Sequence, residues 1–343
     1  MPARRRRWPL AIAGLLLLWL MAGNSVVHRL GMALLQLDSL PPDVNAGGQL
    51  FYTQGFDGLW RHDLRSGVSE QWWMPGEGSL VSDVAVSPDG GQLALAWAPP
   101  AEAGFQTGST DLWLMALPMS EPEPLVRRTD VLECWRDPWW SPEGDWLLAT
   151  HQQVQRDSAG DLVAVRLDVK RLALDGTRHL LLENAEQAAL SSDGRQLVFL
   201  RPNPDSGSQG LMLARSDGSL AHEMVDSATF RALASPGFTP DDQAIVFSAS
   251  GERQDRMQRD GAAAGAVMAH GEPWNIWRLE VSTGVLARVT TSALDGPALA
   301  WSPEGSELLA VLAAEGLFLR ATDKMWRLAP VTTGGEPARA SAG

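Results

Sequence analysis

The chain has 343 residues, 45% of them apolar and 20% charged, with 33 glycines and 22 prolines; this is a turn-rich globular composition that excludes global disorder. The formal net charge is −13 despite four arginines at Arg4–Arg7, so the body of the protein would repel a phosphate backbone, and nucleic acid is excluded as a partner class. One cysteine, Cys134, leaves no intramolecular disulfide and no zinc-ligand spacing.

After "RRRR", residues 8–27 carry no charged side chain. At about 1.5 Å per residue they reach about 30 Å, the thickness of a bilayer's hydrocarbon core. The segment is predicted to be a transmembrane signal anchor behind a basic cytoplasmic region at 1–7. The arginine excess before the span puts the N-terminus inside and the rest of the chain outside. A cleaved secretory signal is the alternative, for which "AGNSVV" offers only weak cleavage sites. Residues 28–46 read as a membrane-proximal stalk ending near Pro41 and Pro42.

From there on the chain repeats itself. "VAVSPDGGQLALAW", "PWWSPEGDWLLAT", "AALSSDGRQLVFL", "PGFTPDDQAIVFSA" and "ALAWSPEGSELLAVL" share an apolar run, a tight polar turn and a second apolar run. The turn hydroxyls Ser87, Ser141, Ser191, Thr239 and Ser302 are spaced by 54, 50, 48 and 63 residues, a repeat with loops of variable length. The turn chemistry predicts a hairpin. Pro88, Pro142, Pro240 and Pro303 preset φ, Asp89, Asp193 and Asp241 follow, and Gly90, Gly144, Gly194 and Gly305 supply the left-handed position. Each copy then continues into an aromatic or β-branched third strand, such as "TDLWLMAL" or "NIWRLEV", and a fourth. A partial copy, "GGQLFYTQ" to "SEQWWM", precedes the first full one and lacks an obvious first strand.

This pattern resembles the TolB-like propeller repeat, a relative of the WD-repeat propellers, over residues 47–331. The resemblance implies an all-β fold, a β-propeller of four-stranded antiparallel blades. Six blades of about 47 residues fit that stretch. Asp242 stands where the turn glycine is expected, Ser192 replaces the proline, and Glu143 and Glu304 replace the aspartate. Residues 332–343 read as a flexible tail unlike a ring-closing strand.

No metal or cofactor is expected: each turn offers one or two carboxylate oxygens, whereas calcium needs six to eight. No G-x-S-x-G or H-E-x-x-H is present, and the six histidines are dispersed. Because the "SPDG" turns make one face compact, the long loops of the opposite face are the expected recognition surface. Its candidate residues are Trp72, Trp73, Trp135, Arg136, Asp137, Arg253, Arg256, His270 and Trp274, with Trp72, Trp73, Trp135 and Trp274 expected to be exposed. The sequence thus reads as a non-enzymatic, membrane-anchored module of a bacterial envelope that binds or senses another envelope or secreted protein. The alternative is an enzyme or a binder of a small ligand, peptide or glycan, that uses the propeller's axial channel.

Overall fold

The computed structural model describes residues 43–44, 48–53, 58–64, 68–100, 109–118, 120–203, 208–251, 274–290, 298–301, 308–312, 324–328 and 341–342. The expected anchor, Gly305 with its turn partners Ser302 and Pro303, and Arg253, Arg256 and His270 lie outside these residues. Among the described residues no helix is long and apolar enough to cross a membrane.

Within each sheet every strand pairs antiparallel with the strand next to it in the chain. The first sheet holds β1 (Asp43–Val44), β2 (Gln49–Thr53), β3 (Leu59–Asp63) and β4 (Val68–Trp73). The second holds β5 (Leu80–Val86), β6 (Gln92–Ala98), β7 (Asp111–Ala116) and β8 (Glu123–Val126). The third holds β9 (Cys134–Trp140), β10 (Trp146–Arg156), β11 (Leu162–Ala173) and β12 (Arg178–Glu183). The fourth holds β13 (Glu186–Leu190), β14 (Gln196–Pro202), β15 (Gln209–Arg215) and β16 (His222–Val225). The fifth holds β17 (Ala232–Phe238), β18 (Ala244–Ser250), β19 (Trp274–Glu280) and β20 (Leu286–Arg288). A last group, β21 (Ala298–Trp301), β22 (Leu308–Leu312), β23 (Lys324–Leu328) and β24 (Ser341–Ala342), pairs in the same order.

The first five sheets are established as blades, which corrects the expected six. In the last group the strands pair, but most of the side chains that would form its packing faces lie outside the described residues. The missing first strand of the first blade is β1, which lies ahead of Gly47. The innermost strands β1, β5, β9, β13 and β17 contact one another in succession.

The core lies between blades, because each sheet is apolar on both faces. Trp135, Trp140 and Leu147 of the third blade pack on Ala85, Ala94 and Leu112 of the second, and Leu148 and Val169 pack on Leu197 and Phe199 of the fourth. Each fully buried leucine or phenylalanine contributes about 1.5–3 kcal/mol.

The repeated turns have the predicted chemistry. Ser87 Oγ donates to Asp89 Oδ1 at 2.6 Å, and the Gly90 N–H donates to the Ser87 carbonyl at 2.8 Å. Ser191 with Asp193 and Thr239 with Asp241 repeat the hydroxyl-to-carboxylate bond. In the Ser141 turn the acceptor is Asp145, two residues beyond Glu143. Asp242 takes the glycine's place at φ +56°.

The turns also touch each other. A Cβ on Gly144 would meet Pro88 at 3.4 Å, and one on Gly194 would meet Pro142 at 3.3 Å. At the next junction the two departures from the repeat meet. The Asp242 carboxylate accepts from the Ser192 N–H at 2.8 Å and the Ser192 hydroxyl at 2.6 Å, so a polar clasp replaces a proline–glycine contact. Ser192→Pro and Asp242→Gly should each lower stability by about 0.5–1.5 kcal/mol. The double variant should lose less than the sum of the two, a coupling measurable by urea denaturation; strict additivity would refute the clasp.

Candidate functional site

Four residues before the first four of the five turn hydroxyls stands a polar residue inside an otherwise apolar strand: Asp83, Asp137, Gln187 and Ser235; before Ser302 the place is taken by Ala298. The strand register shifts at each of the four polar places. In β9, β13 and β17 two residues oppose one on the neighbouring strand, and the first of the two is Asp137, Gln187 or Ser235, with φ of +52°, +50° and +51°. These are β-bulges, which re-aim peptide groups at the cost of a ladder bond. Here the freed N–H groups reach from blade to blade. The Asp137 N–H donates to the Asp83 carboxylate, the Gln187 N–H lies against the Asp137 carboxylate and donates to Thr150 Oγ1 at 3.0 Å, and the Ser235 N–H donates to Gln187 Oε1 at 2.8 Å.

Charge is concentrated on this belt. Arg136 Nη2 donates to Glu186 Oε2 at 2.9 Å, while Arg136 Nε stands 3.7 Å from Asp137 Oδ2, too far for a hydrogen bond. Neither of those two atoms has a hydrogen-bond partner. Glu186 also accepts from Gln209 Nε2 at 2.7 Å. Three buried carboxylates, Asp83, Asp137 and Glu186, thus face one guanidinium. Burial, then the negative charge of Asp137, push Asp83 up to about 7 against the pull of its Ser82 hydrogen bond and Arg136. Burial raises Asp137 and Glu186 as well, with Arg136 opposing. Burial would lower Arg136, but Asp137 and Glu186 raise it.

A buried carboxylate with a raised pKa binds an extra proton in the folded state between its unfolded value, about 4, and its folded one. Its penalty is therefore absent at low pH and complete above about 7. Asp83→Asn should reduce the fall in melting temperature between pH 5 and pH 8 relative to the parent; an identical pH profile would show that Asp83 does not titrate in that window.

Below the belt, on the side of the repeated turns, the inner strands enclose a cavity of about 310 Å³. Asp137, Gln187, Ser235 and Asp242 contribute polar groups to its wall, and Trp139, Phe238 and Trp301 contribute aromatic ones. Nothing in the turn motif pointed to this face.

Trp135 is not exposed as expected. It is fully buried and stacks on His151 with ring centroids 3.8 Å apart, because its side of β9 faces the second blade. His151 Nε2 lies 2.5 Å from Glu133 Oε1; burial holds the imidazole below its usual pKa although Glu133 favours its charged form. Arg136 and Asp137 belong to the belt. Trp72 and Trp73 are half-buried, set edge-on against Phe51 and Trp97, and Trp274 packs on the cluster of Val246 and Ile276. Cys134 is buried, which pushes its thiol up to about 11.

A second feature projects from the third blade. β10 and β11 have 11 and 12 residues, against seven or fewer for the other described strands. β9 pairs with β10 only as far as Gln152, and β12 pairs with β11 only from Asp168. Beyond these points the hairpin is a two-stranded ribbon with no further strand on either edge among the described residues. Leu162, Val163 and Val165 on it are 50%, 64% and 48% exposed. Arg156 clamps the ribbon to Asp130 through bonds of 2.6 and 3.1 Å, and Gln152 Nε2 donates to the Leu132 carbonyl at 2.7 Å. The neighbouring Val131 and Leu132 are exposed too.

Among the described residues no group of three or more His, Cys, Asp or Glu side chains is placed to hold a metal ion. No family model and no curated protein matches the chain. Solved structures do match. A putative TolB from Agrobacterium tumefaciens is 19% identical with a TM-score of 0.54, over 77% of this chain and 86% of that one. TolB from Acinetobacter baumannii is 13% identical with a TM-score of 0.50, over 88% and 67%. An oligogalacturonate lyase in complex with manganese is 14% identical with a TM-score of 0.50, over 84% and 73%. At these identities the likeness is one of fold, and it supports the TolB-like propeller expected from the repeat.

Proposed function

We propose that this protein is a membrane-anchored, extracytoplasmic propeller that serves as a protein-interaction scaffold, with the β10–β11 ribbon as its principal contact. The ribbon carries the reading. Exposed apolar side chains on a strand pair with open edges are what a partner's strand or apolar surface covers, and an uncovered edge is otherwise a liability that proteins blunt. The long-loop face on which the ribbon stands is the one expected from the sequence to bind. The likeness to the TolB propellers agrees with a scaffold, while the likeness to a lyase keeps an enzymatic or small-ligand reading as the alternative. The anchor and its orientation rest on residues 1–27.

The test is site-specific photocrosslinking in native membranes from position 163, with position 179 on the outer strand β12 as control. A discrete adduct from 163 alone, lost in Val165→Asp while the melting temperature is unchanged, is the expected result. Equal or absent labelling at both positions would exclude the ribbon. Protease added to spheroplasts should reach the propeller; full protection would reverse the orientation.

A further inference from the structure

The cavity on the axis has a composition that selects its ligand. Its volume, about 310 Å³, falls at the lower end of small-molecule sites. Among the described residues no lysine, arginine or histidine lines it, whereas Asp137 and Asp242 do. Asp242 is engaged by Ser192 and Asp193, but Asp137 Oδ2 is buried and has no hydrogen-bond partner. Arg136 stands 3.7 Å from that oxygen as an ion pair and gives its hydrogen bond to Glu186. Pro138 and Pro236, which also line the wall, have no N–H to offer an anion. Trp139, Phe238 and Trp301 present the aromatic surface that attracts cations.

We propose that the axial cavity binds a small organic ammonium ion, with the cationic group at Asp137 and the apolar body against the aromatic wall of Trp139, Phe238 and Trp301. Among the described residues an anion would meet two carboxylates and no base. A neutral apolar ligand would fill the space but bring no counter-charge to the two carboxylates. An ammonium ion brings positive charge beside Asp137 and offsets the excess of carboxylates over Arg136. This site is independent of the ribbon and of the partner proposed for it, so either can fail alone.

The experiment titrates the full chain in detergent with phenethylammonium and tetraethylammonium, and with the neutral 2-phenylethanol and anionic 3-phenylpropionate, following tryptophan fluorescence and melting temperature. Saturable binding of the ammonium probes, at least about tenfold tighter than the neutral and anionic ones, is expected. Asp137→Asn should weaken phenethylammonium by about tenfold or more through loss of a charge-assisted hydrogen bond. Trp139→Ala, at a 39% exposed position, should weaken both cations and serves as the test if Asp137→Asn does not fold. Equal binding of the uncharged probe, no binding of either cation, or unchanged affinity in the folded variants would overturn the proposal. Alanyl-phenylalanine amide with a free and with an acetylated N-terminus separates two sources of the same chemistry. Tighter binding of the free peptide than of phenethylammonium identifies a chain terminus, weaker binding identifies a free amine, and both leave the ammonium site standing.

Discussion

Arg136→Met is expected to destabilise the protein by about 3–5 kcal/mol at pH 8, because it leaves Glu186 and Asp137 as buried charges with no counterion. Methionine keeps the length and much of the apolar stem of the arginine, so the loss reports charge more than volume. The sign of its pH dependence follows from the raised carboxylates. Asp83, Asp137 and Glu186 already hold their protons more tightly than in the unfolded chain, and removing the guanidinium raises them further. Their penalty is fully imposed above their folded pKa values and disappears as pH falls toward the unfolded value of about 4. The deficit of the variant should therefore shrink between pH 8 and pH 5, measured by urea denaturation at each pH. A deficit of the same size at both pH values would mean that Arg136 acts by packing alone.

Trp135→Ala should cost about 3–5 kcal/mol, the range for truncating a large buried aromatic. The ring is fully buried, stacks on His151, lies 5.8 Å from the Arg178 guanidinium, and packs with Ala85, Leu147 and Leu172. Trp135→Phe should cost less, since it retains most of the stacked surface. An interface tryptophan behaves differently: its truncation abolishes partner capture while leaving the melting temperature near that of the parent. A melting temperature unchanged in Trp135→Ala would restore the reading of an exposed anchor.

These two neighbours show where reading the sequence stops. "VLECWRDPWW" is a loop-to-strand passage whose tryptophan and arginine have the composition of a binding surface. Composition does not say which way β9 is turned, and the blade buries Trp135 while Arg136, beside the bulge at Asp137, reaches Glu186 of the next blade. The bulge position had a signal that goes unused when each strand is read singly: a polar residue four places before four of the five turn hydroxyls, from Asp83 to Ser235. Only the alignment of several blades makes that column visible, and only their arrangement around an axis makes it a belt. Ser192 and Asp242 are a similar case. Fifty residues apart, they read as two unrelated departures from the motif, yet they bond to each other.

What the sequence determined by itself is local and repetitive. Turn conformations, hairpin register and the four-strand unit depend on residues within one repeat, where proline, aspartate and glycine act through φ and through hydrogen bonds two to five positions away. The tertiary structure decided which residues meet across repeats: the carboxylates gathered on Arg136, the acidic and aromatic cavity on the axis, and the ribbon left projecting beyond its neighbouring strands. Those depend on distances between blades, and separation along the chain carries no information about them.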